Sequence, residues 1–185
     1  MKPGEVRIIG GDWKRSKLPL PRSVDLRPTP DRVRETLFNW LGQDLSGWHC
    51  VDAFAGTGAL GFEAASRGAA KVLLCDANSV CIEAMAKSQA KLGASQLRLL
   101  RGDGLSTLRQ QAPQSVDLVF LDPPYDFAYY PLALAAAAAC IKSTGQIYLE
   151  AAKAWSADEL GALGLRLARH LKAGAVHAHL LQPAA

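Results

Sequence analysis

The alternation of apolar and amphipathic segments after residue 47 is the feature that most limits the folds open to this chain. Short apolar runs predict strands at residues 48–54, 71–76, 96–101, 116–121 and 145–150. Helical spacing predicts helices between them, at residues 59–67, 79–92, 105–111 and 129–142. Such alternation indicates an α/β fold, with a doubly wound, mostly parallel sheet covered by helices on both faces. Two final apolar segments, 164–171 and 175–181, predict an antiparallel C-terminal hairpin.

Length and composition fit one such domain. The chain has 185 residues, of which 49% are hydrophobic, and no apolar run reaches the ~18 residues of a membrane span. The first residues lack the apolar stretch of a secretion signal, so we expect a soluble cytoplasmic protein. Four cysteines stand far apart within apolar runs, which favours reduced core thiols over a disulfide or a metal site.

Positive charge is concentrated at the N-terminus. Residues 1–34 contain nine Lys or Arg against four Asp or Glu, a balance of +5 within a total of +4. Segments 5–9 and 14–18 flank a Gly-Gly pair and predict a β-hairpin that carries Arg7, Lys14, Arg15 and Lys17. These four residues are the candidate nucleic-acid contacts, and a solvated charged arm is the alternative. We expect residues 1–43 to form an appendage and residues 44–185 to form the main domain.

An amphipathic helix is predicted between this hairpin and the main domain. Thr29 can cap a helix that starts at Pro30, and the apolar residues that follow recur at helical spacing up to Gly42. The charged residues of this segment, Arg32 and Arg34 among them, fall on its other sides.

A glycine-rich loop follows the first strand of the main domain. It begins at Asp52 and includes Gly56, Gly58 and Gly61, a spacing that lets the backbone approach a ligand at a helix N-terminus. Asp76 ends the next strand, where a carboxylate can accept hydrogen bonds from ribose hydroxyls. The pattern also fits NAD, but Asp52 places a carboxylate where a pyrophosphate would approach. A cofactor with a cationic amino acid portion, such as S-adenosylmethionine, suits Asp52 better. A turn that only packs helix on strand is the structural alternative.

Asp103 follows the third strand of the main domain. Its carboxylate can accept a hydrogen bond from an adenine amino group, and capping of the next helix explains the residue equally well.

The motif Asp122-Pro123-Pro124-Tyr125 after the fourth strand carries the most chemistry. The prolines remove two backbone donors and stiffen the chain. Asp122 and the Pro123 carbonyl can therefore accept from one exocyclic amino group and aim its lone pair at an activated methyl group. Tyr125 offers a flat face to a base that has left its stack. A rigid loop with a surface tyrosine is the alternative.

These motifs resemble class I S-adenosylmethionine-dependent methyltransferases that act on amino nitrogens. The N-terminal blocks 7–19 and 27–41 are more specific, and they resemble the RsmD family of bacterial 16S ribosomal RNA guanine-N2 methyltransferases. This resemblance covers residues 6–182. It implies a monomeric Rossmann-like enzyme that contains no metal and acts on 16S rRNA within the small ribosomal subunit. It also implies that Asp122, Pro123 and Tyr125 hold the target base. The implied cofactor contacts are Asp52, Ala53, Phe54, Gly56, Gly58, Asp76, Asp103, Thr29 and Arg32, of which Thr29 and Arg32 would close over the methionine end.

The chain departs from this family at its C-terminal strand, where His177 and His179 replace the usual aromatic and basic residues. Their spacing puts both histidines on one face of the strand. We expect them at surface or edge positions and not in a metal site. Three other functions compete with the family assignment. They are an amino-methyltransferase acting on DNA adenine or a protein side chain, an NAD-dependent oxidoreductase, and a noncatalytic ribosome-binding factor.

Overall fold

The computed structural model describes residues 4–21, 23–24, 26–124, 126 and 128–184. Its strands are β1 (Glu5–Arg7), β2 (Lys17–Pro19), β3 (His49–Asp52), β4 (Lys71–Asp76), β5 (Leu97–Arg101), β6 (Val116–Leu121), β7 (Ile141–Ala151), β8 (Leu165–Ala173) and β9 (Val176–Pro183). Its helices are α1 (Asp31–Leu41), α2 (Ala59–Ser66), α3 (Ser79–Leu92), α4 (Gly104–Arg109), α5 (Tyr130–Cys140) and α6 (Ala157–Gly161).

In the described part of the chain, seven strands form the central sheet in the order β5-β4-β3-β6-β7-β9-β8. Strands β3 to β7 run parallel, whereas β9 pairs antiparallel with both β7 and β8. Strands β1 and β2 form a separate antiparallel hairpin. The doubly wound sheet, its antiparallel C-terminal end and the N-terminal hairpin are therefore confirmed.

Most predicted elements lie within one to three residues of their observed bounds, but two differ more. Strand β7 begins at Ile141, directly after α5, and is longer than the predicted segment 145–150. Helix α6 was not predicted because it has only five residues. It is held at its start by a capping box, in which the Ser156 side chain accepts from the Glu159 N–H and the Glu159 side chain accepts from the Ser156 N–H.

The N-terminal segment packs into the same apolar layer as one face of the sheet. Val6, Ile8 and Leu18 of the hairpin are at most 1% exposed, and they belong to one buried cluster with Phe120 and Tyr148. The hydrophobic surface of the hairpin is thus covered. The opposite face of the sheet packs against α5 in a second cluster.

Two expectations for the segment around α1 are wrong. Pro30 is the N-cap of α1, with no side-chain hydrogen bond to the helix, because the Thr29 side chain points to other partners that are described below. Arg34 does not lie on an exposed side of the helix but is fully buried. The predicted end of the helix is confirmed, since Gly42 closes it at a φ of 92°.

His179 also differs from expectation. It shares a strand face with His177, but it is fully buried where its ring contacts the backbone of Trp155 and Leu149. Its Nε2 accepts from the Trp155 N–H at 3.2 Å, and its Nδ1 lies 3.3 Å from the Leu149 carbonyl. Burial lowers the pKa of His179 to about 4, so the imidazole is neutral at pH 7 and both of its nitrogens are engaged.

All four cysteines are buried as free thiols. Among the described residues, no helix has the length and apolar character needed to cross a bilayer.

Candidate active site

The predicted site residues gather at the carboxyl edge of the parallel strands. Asp52 ends β3, Asp76 ends β4, and Asp122 directly follows β6. Strand β3 pairs with β4 on one side and with β6 on the other, so the chain reverses its order between β3 and β6. Ligands of open α/β sheets bind at such a switch point.

The glycine loop connects this edge to the N-terminus of α2. Gly58 is the N-cap of α2, with a φ of 80° that L side chains rarely adopt. A Cβ atom at Gly58 would lie 2.8 Å from the Phe62 ring and 2.9 Å from the Met85 sulfur. The backbone can therefore turn into the helix only with glycine at this position.

Asp76 accepts two backbone hydrogen bonds. Its Oδ2 accepts from the Gly56 N–H and its Oδ1 from the Asn78 N–H, both at 2.8 Å. The first bond joins the end of β4 to the glycine loop, and the second shapes the start of α3. The half-buried carboxylate is thus fixed at the mouth of the loop.

Asp52 is the deepest carboxylate of the site. Its Oδ2 accepts from the Gly61 N–H at 3.1 Å, whereas its buried Oδ1 has no hydrogen-bond partner among the described residues. Burial raises the pKa of Asp52 to about 7, and the charge of Asp76 adds to the shift, whereas the Gly61 and Phe54 N–H groups oppose it. A buried carboxylate oxygen without a donor fits a ligand that brings a positive charge or an N–H group. Asp52 therefore fits the positively charged amino acid portion of S-adenosylmethionine.

Asp103 caps α4, as one of its two interpretations predicted. Its Oδ2 accepts from the Ser106 N–H at 2.7 Å, and the residue is exposed beyond the end of β5. Ala53 and Phe54 lie beside this helix start, because a Cβ atom at Gly104 would be 2.3 Å from the Ala53 carbonyl and 3.0 Å from the Phe54 ring.

Asp122 and Pro123 form the other wall of the site. Asp122 is half-buried and Pro123 is buried. The Thr29 hydroxyl lies 3.2 Å from Asp122 Oδ2, so the segment before α1 does reach the site. Burial raises the pKa of Asp122 well above its usual value, and the charge of Glu150 adds to the shift. Tyr125 lies outside the described residues.

Glu150 is a site residue that the sequence analysis missed. It is 7% exposed on β7, and its Oε1 is 2.7 Å from both the Thr29 hydroxyl and the Tyr148 hydroxyl. Burial raises its pKa, while the two hydroxyl groups oppose the shift. The available signal was a carboxylate near the carboxyl end of a central strand, the position that Asp52, Asp76 and Asp122 also occupy.

Glu63 anchors the N-terminal hairpin to α2. Its carboxylate accepts from the Ile9 N–H at 2.9 Å and from the Gly10 N–H at 2.7 Å. Ser66, one turn later, donates to the Gly10 carbonyl at 2.6 Å and accepts from the Trp13 N–H at 2.9 Å. The hairpin is therefore fixed to the helix that starts at the glycine loop, which rules out a freely solvated arm.

Two buried arginines complete this anchor. Arg34 and Arg67 both pair with Glu63, and Arg34 also donates to the Thr29 carbonyl at 3.1 Å. Arg32, in contrast, is exposed, and no hydrogen bond or ion pair among the described residues joins its side chain to the site. The position of Thr29 is therefore held by Arg34 rather than by Arg32.

A basic groove lies between the hairpin and α1. It has a volume of about 310 Å³, and Arg7, Lys14 and Arg15 line it together with the acidic side chains Asp31 and Glu35. Lys17 is not among the lining residues, and its ammonium pairs with Glu5 at 2.9 Å. Three of the four predicted nucleic-acid contacts thus share one surface.

The sheet order and the site at the switch point are those of class I methyltransferases. Among solved structures, yhhF from Escherichia coli is 33% identical, with a TM-score of 0.83 over 98% of this chain and 99% of that one.

The family described as "Conserved hypothetical protein 95", which is the RsmD family, matches residues 6–182, and this chain belongs to it. Several relatives carry the name "Ribosomal RNA small subunit methyltransferase D". The one from Haemophilus influenzae is 41% identical over 81% of this chain and 80% of its own length. The one from Escherichia coli K12 is 46% identical over 66% of this chain, a match that spans 61% of its own length.

Proposed function

We propose that this protein transfers a methyl group from S-adenosylmethionine to the exocyclic N2 of one guanine in 16S rRNA. The observation that carries the proposal is the placement of Asp122, a half-buried acceptor at the switch point, next to the strand that bears Asp52 and the glycine loop. The names of the relatives support rRNA as the substrate class.

The cofactor would be held by residues on both sides of the glycine loop. Asp52 would accept from the amino group of the methionine portion through its unpartnered Oδ1, and Asp76 would accept from the ribose hydroxyls. The backbone at Gly56 and Gly58 would come close to the cofactor, with Ala53 and Phe54 beside it. Asp103 would contact the adenine. When bound, S-adenosylmethionine supplies an electrophilic methyl group.

Asp122 and the Pro123 carbonyl would orient the target amine. An aromatic amine is a weak nucleophile because its lone pair is conjugated with the ring. Two fixed acceptors turn its N–H bonds toward the protein, leave the lone pair directed at the methyl group, and stabilise the positive charge that develops on nitrogen. Tyr125 would stack on the extruded base.

Guanine suits an acceptor-only side chain. An ionised carboxylate has no donor, and guanine presents two adjacent donors, N1–H and the N2 amino group. Adenine places an acceptor beside its amino group and would gain from an asparagine instead. The acidic character of Asp122 therefore supports guanine within the ribosomal assignment.

The RNA would contact residues 1–43, which we regard as an appendage to a catalytic domain at residues 44–185. The groove lined by Arg7, Lys14 and Arg15 is suited to phosphates. One such groove reads little sequence, so selection of the guanine would depend on the shape of an assembled or partly assembled small subunit. The protein would act as a cytoplasmic monomer.

Labelled methyl transfer tests this function. Small ribosomal subunits from cells that lack the gene are incubated with the protein and labelled S-adenosylmethionine, and naked 16S rRNA is incubated in parallel. We expect label in the rRNA of the subunits and far less in naked rRNA. Absence of label from both would refute the activity, and equal labelling would refute the assembled subunit as the substrate.

A further inference from the structure

Two carboxyl groups of the site, Asp122 and Glu150, are connected by a single hydroxyl. Thr29 Oγ1 lies 2.7 Å from Glu150 Oε1 and 3.2 Å from Asp122 Oδ2. A threonine hydroxyl has one proton and can donate one full hydrogen bond. The Thr29 proton therefore goes to the nearer carboxyl group, Glu150, and Asp122 can hydrogen-bond to the Thr29 oxygen only when Asp122 carries a proton and donates it.

The hydrogen-bond partners of Glu150 indicate which carboxyl group is ionised in the free protein. Glu150 Oε1 has short contacts with two hydroxyls, Thr29 and Tyr148, which favour its ionised form. The hydrogen-bonded chain then runs from protonated Asp122 to Thr29, and from Thr29 to ionised Glu150. Tyr148 donates to Glu150 from the other side.

This arrangement opposes the role of Asp122. A protonated Asp122 presents a donor at the place where the target amine needs an acceptor. A shift of two protons along the chain resolves the conflict, because the Asp122 proton moves to Thr29 while the Thr29 proton moves to Glu150. Asp122 becomes an ionised acceptor, and the pair still holds one proton.

We propose that Glu150 is a positioning residue for methyl transfer, which takes up the Asp122 proton through the Thr29 hydroxyl when the target amine arrives. This inference rests on the proposed function. In the transfer itself, the nitrogen–carbon bond forms and the carbon–sulfur bond breaks, so that the sulfonium becomes a neutral thioether. The proton lost by the amine passes to Asp122 and then to water.

The other groups around the pair neither supply nor remove this proton. Tyr148 lies on β7, and burial beside Glu150 keeps its pKa well above its ordinary value. Asp52 on β3 adds negative charge near Asp122. Arg34 on α1 donates to the Thr29 carbonyl rather than to its hydroxyl. His179 on β9 pairs with Leu149 on β7, and both lie on the other face of the sheet.

The pH dependence of single-turnover methyl transfer tests the proposal in wild type and in Glu150→Gln. Rates are measured on small ribosomal subunits from about pH 5.5 to about pH 8.5. In wild type, Asp122 can pass its proton to Glu150, so the protein is active while the pair holds one proton. In Glu150→Gln, Asp122 must lose its proton to solvent before it can accept from the target amine. We expect the acid limb of the variant to move up by ~1 pH unit, so that its rate on the acid side, relative to its own plateau, is ~10-fold lower than that of wild type.

The direction of this shift separates the proposal from simpler roles of Glu150. If Glu150 only repels charge, its removal lowers the pKa of Asp122 and the acid limb moves down. If Glu150 is only structural, the limb does not move. Either result would overturn the proposal. An inactive wild type would instead count against the proposed function itself.

Thr29 provides a matched pair of variants. Thr29→Val removes the hydroxyl at similar volume and should reproduce the upward shift, whereas Thr29→Ser retains the hydroxyl and should leave the profile in place. Equal profiles for the two variants would show that the hydroxyl does not connect the carboxyl groups.

Thermal unfolding gives a readout that does not depend on activity. The raised pKa values of Asp122 and Glu150 mean that the folded state loses stability as pH rises through them. The Tm of Glu150→Gln relative to wild type should therefore increase with pH. A difference in Tm that is constant with pH would contradict proton sharing by the pair.

Discussion

The backbone N–H of Gly56 donates a 2.8 Å hydrogen bond to Asp76 Oδ2, so the carboxylate at the end of β4 fixes the glycine loop after β3. Two adjacent parallel strands are thereby joined at their carboxyl ends. Asp76 consequently shapes the loop in addition to its proposed contact with the ribose.

Replacement of Asp76 by alanine should weaken S-adenosylmethionine binding by roughly 10- to 100-fold. A hydrogen bond to a charged group contributes about 1.5–3 kcal/mol, so loss of the proposed ribose contact alone accounts for a change of this size. Calorimetry measures the effect, with Asp158→Ala on α6 as the control for removal of an exposed acid. Unchanged affinity in Asp76→Ala would remove Asp76 from the cofactor site.

Binding of S-adenosylmethionine should become tighter between about pH 6 and about pH 8. The pKa of Asp52 is raised to about 7, and a cationic partner binds its ionised form, which dominates above that pH. Asp52→Asn should bind more weakly and lose most of this pH dependence.

The apoprotein should show the opposite trend in stability. A raised pKa in the folded state contributes stability at low pH that is lost as pH rises through about 7.

Calorimetry at several pH values, with NAD as the competing ligand, tests the assignment of S-adenosylmethionine as the cofactor. Tighter binding of NAD would contradict it.

Asp122→Ala should lower methyl transfer by ~100-fold or more while leaving cofactor affinity nearly unchanged. Its proposed partner is the target amine, and removal of one fixed transition-state contact has about this effect in other enzymes. Asp126→Ala, in the same loop, is the matched control because Asp126 is exposed. Near-normal turnover of Asp122→Ala would refute the mechanism.

Neutralising the basic groove should weaken RNA binding and reduce its salt dependence. Each phosphate contact that is lost lowers the slope of log K against log salt by about 0.7 to 0.9. The test compares the triple variant Arg7→Gln, Lys14→Gln and Arg15→Gln with Lys71→Gln. The control residue is an exposed lysine at the amino end of β4, opposite the site. Equal slopes for the two variants would show that the groove does not bind RNA.

The order of the elements was predictable because it depends on local patterns. Strand β4 and helix α3 have the predicted bounds, since each combines a distinct periodicity with clear flanking residues. The convergence of Asp52, Asp76 and Asp122 then followed from the rule that parallel strands present their carboxyl ends at one edge.

The polar contacts that shape the site were not predictable in this way. Thr29 was assigned to a local cap, but its partners are 93 and 121 residues away in the chain. Arg34 was expected on an exposed helix face and Glu63 was not singled out, yet the two form a fully buried pair. A local pattern contains no information on such long-range pairing, and a buried ion pair contradicts the usual assignment of charged residues to the surface.

Nucleoside analysis of the methylated product is the most direct test of the central claim. Small subunits methylated by the wild-type protein are digested to nucleosides and compared with subunits treated with Asp122→Ala. The proposed function predicts N2-methylguanosine from 16S rRNA in the wild-type sample only. N6-methyladenosine in the wild-type sample, or the same product with Asp122→Ala, would contradict it.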